Sequence, residues 1–360
     1  MSGKQSWMQE MIREIQNETR NVSLMEVCGT HTMAIARSGI RDLLPDNIKL
    51  ISGPGCPVCV TAQGDIDAVI ELASQRGIVL ATFGDMIRVP GTISSLQEAR
   101  GKGAQVRVVY SPLDALAMAR DNPTQEVVFL GIGFETTAPT VAASIEAARN
   151  MHLNNFSVFS LHKMVPPALE IIFSDPDIKV DALICPGHVS LVIGLEPYRK
   201  LAQSYRKPCV ITGFDDADLL QGILMILLQL RQGQNQARIQ YQRAVQEKGN
   251  PVAQDILNRV FQAVDARWRG LGTIAGSGLQ IKDEFSQYDA WRKFKLQNKD
   301  DLAIKGCSCG QILSGKLSPH DCPLFGRSCT PLNPIGPCMV SQEGACAAYY
   351  RYIPLKGAIK

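Results

Sequence analysis

The sequence has no apolar run long enough to cross a membrane. Its most apolar stretch, Leu219 to Leu230, is interrupted by Gln221 and Gln229 and falls short of the roughly 20 residues a helical span needs. Neither charge is in excess: 37 Lys and Arg stand against 34 Asp and Glu, a net +3, with no basic block. A nucleic-acid partner is therefore not expected. Aromatic residues are sparse, at 6%. The N-terminal MSGKQSWMQEMIREIQNETR lacks the apolar core and small-residue cleavage site of a secretory signal. Gly131 and Gly133 supply a G-x-G, but the third glycine of the dinucleotide fingerprint is missing, as is any GxxxxGK[ST] phosphate loop. These absences predict a cytoplasmic chain with no membrane span.

What the sequence does have is apolar residues in quantity, 45% of its 360, enough for two or three domains. Short apolar runs (SLMEV, IKLIS, GIVLATF, QVRVVY, EVVFLGI, FSVFSL, VDALIC, PCVITGF) alternate with amphipathic helical stretches. That alternation predicts βαβ units and parallel sheets. The expected fold is α/β: two Rossmann-like lobes with parallel sheets, plus a cysteine-rich region packed with C-terminal helices. The polar segment RDNPTQ suggests a boundary, giving lobes over 1–122 and 123–233 and a helical, cysteine-rich region over 234–360. Gln234 to Arg269 reads as polar helix, broken at Gly249-Asn250-Pro251.

Cysteine is plentiful. Of 11 in the chain, Cys307, Cys309, Cys322, Cys329, Cys338 and Cys346 fall in one Gly- and Pro-rich tail. Such a stretch buries too little apolar surface to offset its ordering entropy. Disulfides, zinc or an iron–sulfur cluster could hold it. A reducing cytosol argues against disulfides, and zinc ribbons favour paired CxxC knuckles, which the tail lacks. Wide, uneven gaps suit a cluster held by loops, and Cys307, Cys322, Cys329 and Cys346 give C-x14-C-x6-C-x16-C. Spacing alone does not exclude Cys309 or Cys338.

Other reactive residue types fall where strands end, which is where open α/β sheets bind ligands. Cys28 precedes a predicted helix, where backbone N–H groups favour a thiolate, and His31 is close enough in sequence to share its turn. Cys56 and Cys59 form a CxxC that suits a redox dithiol, half a zinc site or a disulfide. Asp85, Arg88, Glu135 and Lys163 follow other strands and suit either a ligand site or a salt-bridged rim. Cys185 and Cys209 flank apolar strand text and read as core thiols. His152 and His320 read as exposed.

These strings together resemble the HypD family of NiFe-hydrogenase maturation factors. CGTHT (Cys28–Thr32), SGPGCPVCVT (Ser52–Thr61), FGDMIRVPG (Phe83–Gly91), GFETTAPT (Gly133–Thr140), SLHKMVPPAL (Ser160–Leu169) and CPGHVS (Cys185–Ser190) carry the resemblance. The tail CPLFG-x-x-CTP…GPCMVS-x-EGACAAYY completes it, so that it runs from about residue 20 to 355. The resemblance implies a scaffold that assembles and carries the Fe(CN)2CO unit of the NiFe site. It implies a HypC-type small chaperone, a HypE-type cyanide donor and, transiently, the hydrogenase large-subunit precursor as partners. It also implies a 4Fe-4S cluster on Cys307, Cys322, Cys329 and Cys346, and iron carrying cyanide and CO on Cys28. Cys56 and Cys59 would exchange electrons with the cluster. His31, Asp85 and Glu135 are expected around the iron's ligands. The competing expectations are an Fe–S oxidoreductase acting on a small molecule and a zinc-stabilised binding module.

Overall fold

A computed structural model describes residues 3–297, 299–302 and 304–353. Nine short strands build two parallel sheets. They are β1 (Val22–Glu26), β2 (Ile48–Ser52), β3 (Ile78–Thr82), β4 (Gln105–Val108), β5 (Glu126–Gly131), β6 (Phe156–Ser160), β7 (Ala182–Cys185), β8 (Cys209–Ile211) and β9 (Ala237–Ile239). One sheet has the order β2-β1-β7-β8-β9 and the other β4-β3-β5-β6. All eight expected apolar runs are strands. The central ones are buried on both faces, as helix-covered parallel strands must be: every residue of β3 and β7 is buried. The expected fold class, two α/β lobes with a cysteine-rich tail, is what the chain forms.

The lobes do not divide at residue 122. β3 pairs with β4 on one side and β5 on the other, so a cut there splits one sheet. The first lobe takes β1 and β2 from the start of the chain and β7 to β9 from beyond residue 180. Its seam is β1, which pairs with β2 and, across a long stretch of sequence, with β7. Local pattern carries no trace of that pairing.

The segment from 234 is also not simply helical. β9 completes the first sheet, and between residues 234 and 269 the helix is Pro251–Val260. The Gly249-Asn250-Pro251 break is its start: Gly249 has a φ of +67°, the Asn250 side chain accepts the N–H groups of Val252 and Ala253, and Pro251 occupies the first turn. An antiparallel hairpin follows, β10 (Phe261–Trp268) and β11 (Gly272–Ile281), bulged between Val264 and Ala266.

The tail packs on the first lobe. Cys309, Cys322, Cys329, Cys338 and Cys346 share an apolar cluster with Met25, Val27, Cys56, Cys59, Leu183 and Trp268. Cys185 and Cys209 are fully buried in the same cluster, as core thiols should be. His320 is not exposed as expected. It is half-buried, with Nε2 3.1 Å from the Ile353 carbonyl oxygen and its ring against Phe325 and Tyr349. Among the described residues, no helix is long and apolar enough to cross a membrane.

Candidate functional site

The carboxyl ends of both sheets face one cleft of about 640 Å3. The first lobe contributes Cys28 and Thr30 after β1, Gly55 and Pro57 after β2, and His188 after β7. The second lobe contributes Asp85 after β3, Tyr110 after β4 and Thr136 after β5. Ser341 and Glu343 of the tail form a third wall.

Cys28 begins the helix Gly29–Ser38 but lends it no side-chain cap. It is nearly buried, at 8% exposure. The expected pre-ionised thiolate is not what this setting produces. Burial pushes the thiol up to about 12, and the charges of Glu343 and Glu26 add to that, outweighing the lowering by backbone N–H groups of the helix start. Beneath it lies Glu26, fully buried, whose carboxylate accepts the Cys28 N–H at 3.2 Å and the Thr32 hydroxyl at 2.6 Å. Burial raises Glu26 to about 7.

Cys56 and Cys59 are joined as a disulfide, with Cα atoms 5.2 Å apart. Pro57 opens the short helix Pro57–Val60, and Cys56 Sγ accepts the Cys59 N–H at 3.2 Å. This helix packs on two tail helices, Cys309–Leu313 and Pro337–Val340.

All six tail cysteines line one small apolar cavity, together with Ile312, Leu324, Phe325, Gly336 and Met339. Among the described residues no three ligating side chains converge closely enough to hold a single metal ion. The six side chains share the wall of that one cavity. That donor set, all soft sulfur in an apolar shell, fits a polynuclear iron–sulfur group better than a lone cation. The sulfurs of Cys309 and Cys338 lie 2.7 Å apart, a pairing that sequence spacing left unassigned.

Not every expected residue reaches the cleft. Asp85 does, and it ties the second lobe to the tail by accepting the Ser341 hydroxyl at 3.1 Å and the Gln342 N–H at 3.4 Å. Arg88 donates to the Pro331 carbonyl oxygen. His31 points away, its Nε2 3.0 Å from both the Gly213 carbonyl oxygen and the Thr212 hydroxyl. Burial lowers it to about 4. The Phe214 ring lies between His31 and the cleft residue His188, with ring centroids 4.7 and 4.1 Å away. Glu135 turns inward and accepts the Val165 N–H at 3.0 Å, capping the helix Val165–Ser174. Burial raises its carboxyl to about 7. Lys163 lies outside the cleft, buried against the hairpin and donating to the Arg267 carbonyl oxygen at 2.7 Å.

Comparison with known proteins places the chain in a family. A family model described as "Hydrogenase formation hypA family", named HypD, matches residues 4–353. The chain belongs to the HypD family. It is 48% identical to the hydrogenase maturation factor HypD of Azotobacter vinelandii over 92% of this chain and 90% of that protein. It is 44% identical to the HypD of Escherichia coli K12 over 92% and 90%. Against a putative hydrogenase expression/formation protein of Methanocaldococcus jannaschii it is 43% identical over 95% of each. The chain is thus a hydrogenase maturation factor.

Three features of this HypD chain escaped sequence reasoning. Glu26 had a signal, a carboxylate inside the apolar run SLMEV. His188 stood in the CPGH string. Glu343 stood in the tail string EGACAAYY: it is half-buried, and its carboxylate accepts the Thr30 hydroxyl at 2.7 Å. The glycines around Cys28 are spatial necessities. A methyl group on Gly55 would collide with the backbone of Val27 and Cys28, while the Gly29 N–H donates to the Gly55 carbonyl oxygen at 2.9 Å. Gly55→Ala is therefore expected to cost about 3 kcal/mol, the upper range for overpacking against backbone. Urea unfolding measures it; a wild-type midpoint would show that the two loops are not locked together.

Proposed function

We propose that this chain is the scaffold on which the Fe(CN)2CO unit is assembled, with Cys28 as the cleft's ligand to that iron. A HypC-type chaperone and a HypE-type cyanide donor supply the remaining thiolate and the cyanide, and the hydrogenase large-subunit precursor receives the product. The observation that carries this reading is the placement of three sulfur groups on adjoining elements. Cys28 faces the cleft, the Cys56–Cys59 disulfide stands on the neighbouring loop, and the six-cysteine cavity packs against that loop.

The residues have separate tasks. Low-spin iron bearing cyanide and CO is soft, and thiolate suits it. The Cys28 thiol is held protonated by burial, so taking up iron displaces a proton. Glu26 fixes the Cys28 backbone through its N–H. The cleft, walled by two lobes and the tail, limits solvent around the cargo. Cys307, Cys322, Cys329 and Cys346 are the residues that would hold a 4Fe-4S cluster, which supplies single electrons when bound. The Cys56–Cys59 disulfide takes up two electrons and two protons to become a dithiol.

Anaerobic copurification with the small chaperone tests the reading. Iron analysis should give about four irons per chain beyond the cargo iron, and infrared spectra should show iron-bound CO and cyanide. A preparation without iron or sulfide, before and after reconstitution, refutes it.

A further inference from the structure

Arg269 is a buried guanidinium, 8% exposed, at the turn between β10 and β11. Its backbone N–H donates to the Val60 carbonyl oxygen at 2.8 Å. Its Nε donates to the Thr61 carbonyl oxygen at 3.0 Å and its Nη1 to Gln63 Oε1 at 2.9 Å. These acceptors are neutral and directly follow the Cys56–Cys59 disulfide. Nη2 has no protein acceptor among the described residues, and no carboxylate there bonds to the guanidinium. The next residue, Gly270, is pressed against Gly310, beside Cys309. A methyl group on either glycine would strike the other's backbone. Arg269 is therefore clamped between the disulfide loop and the tail, next to the Gly270–Gly310 contact that adjoins Cys309, itself in the wall of the six-cysteine cavity.

A buried charge without a counter-ion is costly. Its hydrogen-bond acceptors are neutral, so its charge has no bonded counter-ion until the tail's thiols ionise on binding metal. A thiolate-ligated cluster is net negative and gains one further negative charge on reduction. A fixed cation in a low-dielectric setting stabilises that added charge.

We propose that Arg269 is the counter-charge of the tail's metal-bound thiolates and raises the reduction potential of the cluster they hold. This rests on the reading that Cys307, Cys322, Cys329 and Cys346 bind a 4Fe-4S cluster. The guanidinium is not itself oxidised or reduced and forms no bond. It is a positioning residue, acting through the electrostatics of the site.

The test compares wild type, Arg269→Gln and Arg269→Lys, each reconstituted anaerobically. Iron per chain is measured first, then the midpoint potential by dithionite titration followed by electron paramagnetic resonance. Arg269→Gln should lower the reduced-to-oxidised ratio at the wild-type midpoint about tenfold, which is a shift of about 59 mV for one electron. Arg269→Lys, which keeps the charge and loses the fork of hydrogen bonds, should stay near wild type. If Arg269→Gln fails to load iron while Arg269→Lys loads it, the counter-charge role is likewise supported. Equal potentials in wild type and Arg269→Gln overturn it, as do equal shifts or equal loss of loading in both variants. Wild type that holds no iron overturns the cluster assignment itself, and this proposal with it.

Discussion

Cys28→Ala is expected to abolish hydrogenase maturation while leaving the fold and the tail's iron in place. The side chain is small and caps nothing, so the helix Gly29–Ser38 keeps its start. The Glu26 carboxylate still receives the backbone N–H of residue 28. Losing one buried sulfur should cost only about 1 kcal/mol. What disappears is a soft donor facing the cleft, and no other free thiol lines that cleft among the described residues. Maturation of a reporter hydrogenase should fall to background, with the infrared bands of the bound unit gone and tail iron unchanged. Active hydrogenase made with this variant would remove Cys28 from the mechanism.

Cys346→Ala should act at the other end of the sulfur series, and differently. Burial raises the Cys346 thiol first, and the neighbouring Cys309, Cys329, Cys307 and Cys322 raise it further. It therefore sits amid the other sulfurs, on the helix Ala345–Tyr352 that packs over the helix Gly29–Ser38. Iron should fall from about four per chain to near zero, because a cluster lacking one of four thiolates is poorly held. On the same reading, the tail should become protease-sensitive. Cys309→Ala and Cys338→Ala are the discriminating controls. They should retain iron if their close sulfurs serve each other and not the cluster. Loss of iron in either control would redraw the ligand set.

The sequence revealed the strands because period and burial are local. It also revealed that reactive residues gather at strand ends, since parallel sheets expose only those ends to ligands. It could not show which end faces which. Glu135 and His31 stand in the same strings as cleft residues, but a one-position difference in direction sends Glu135 to a helix start and His31 to the Thr212–Phe214 loop. Sheet order was invisible because β1 meets β7 only after the chain has built the whole second sheet. Strand β10, inside the stretch Gln234 to Arg269, was misread as helix because most of its residues are not buried and its Trp268 is buried by partners distant in sequence. The state of Cys28 was misjudged for another physical reason. A helix start is a modest, local stabiliser of a thiolate, whereas desolvation depends on everything packed around it.

The short tail segment from Ser341 to Glu343 touches both lobes at once. Ser341 holds Asp85 on one side of the crevice and Glu343 holds Thr30 on the other, only a few residues before Cys346. The segment behaves as a latch whose anchor is the sulfur-rich tail. On the proposed reading of the tail, a chain without its cluster has a less firmly anchored third wall. That reading carries an order of events: the tail would mature first, and the crevice would be walled for cargo only afterwards.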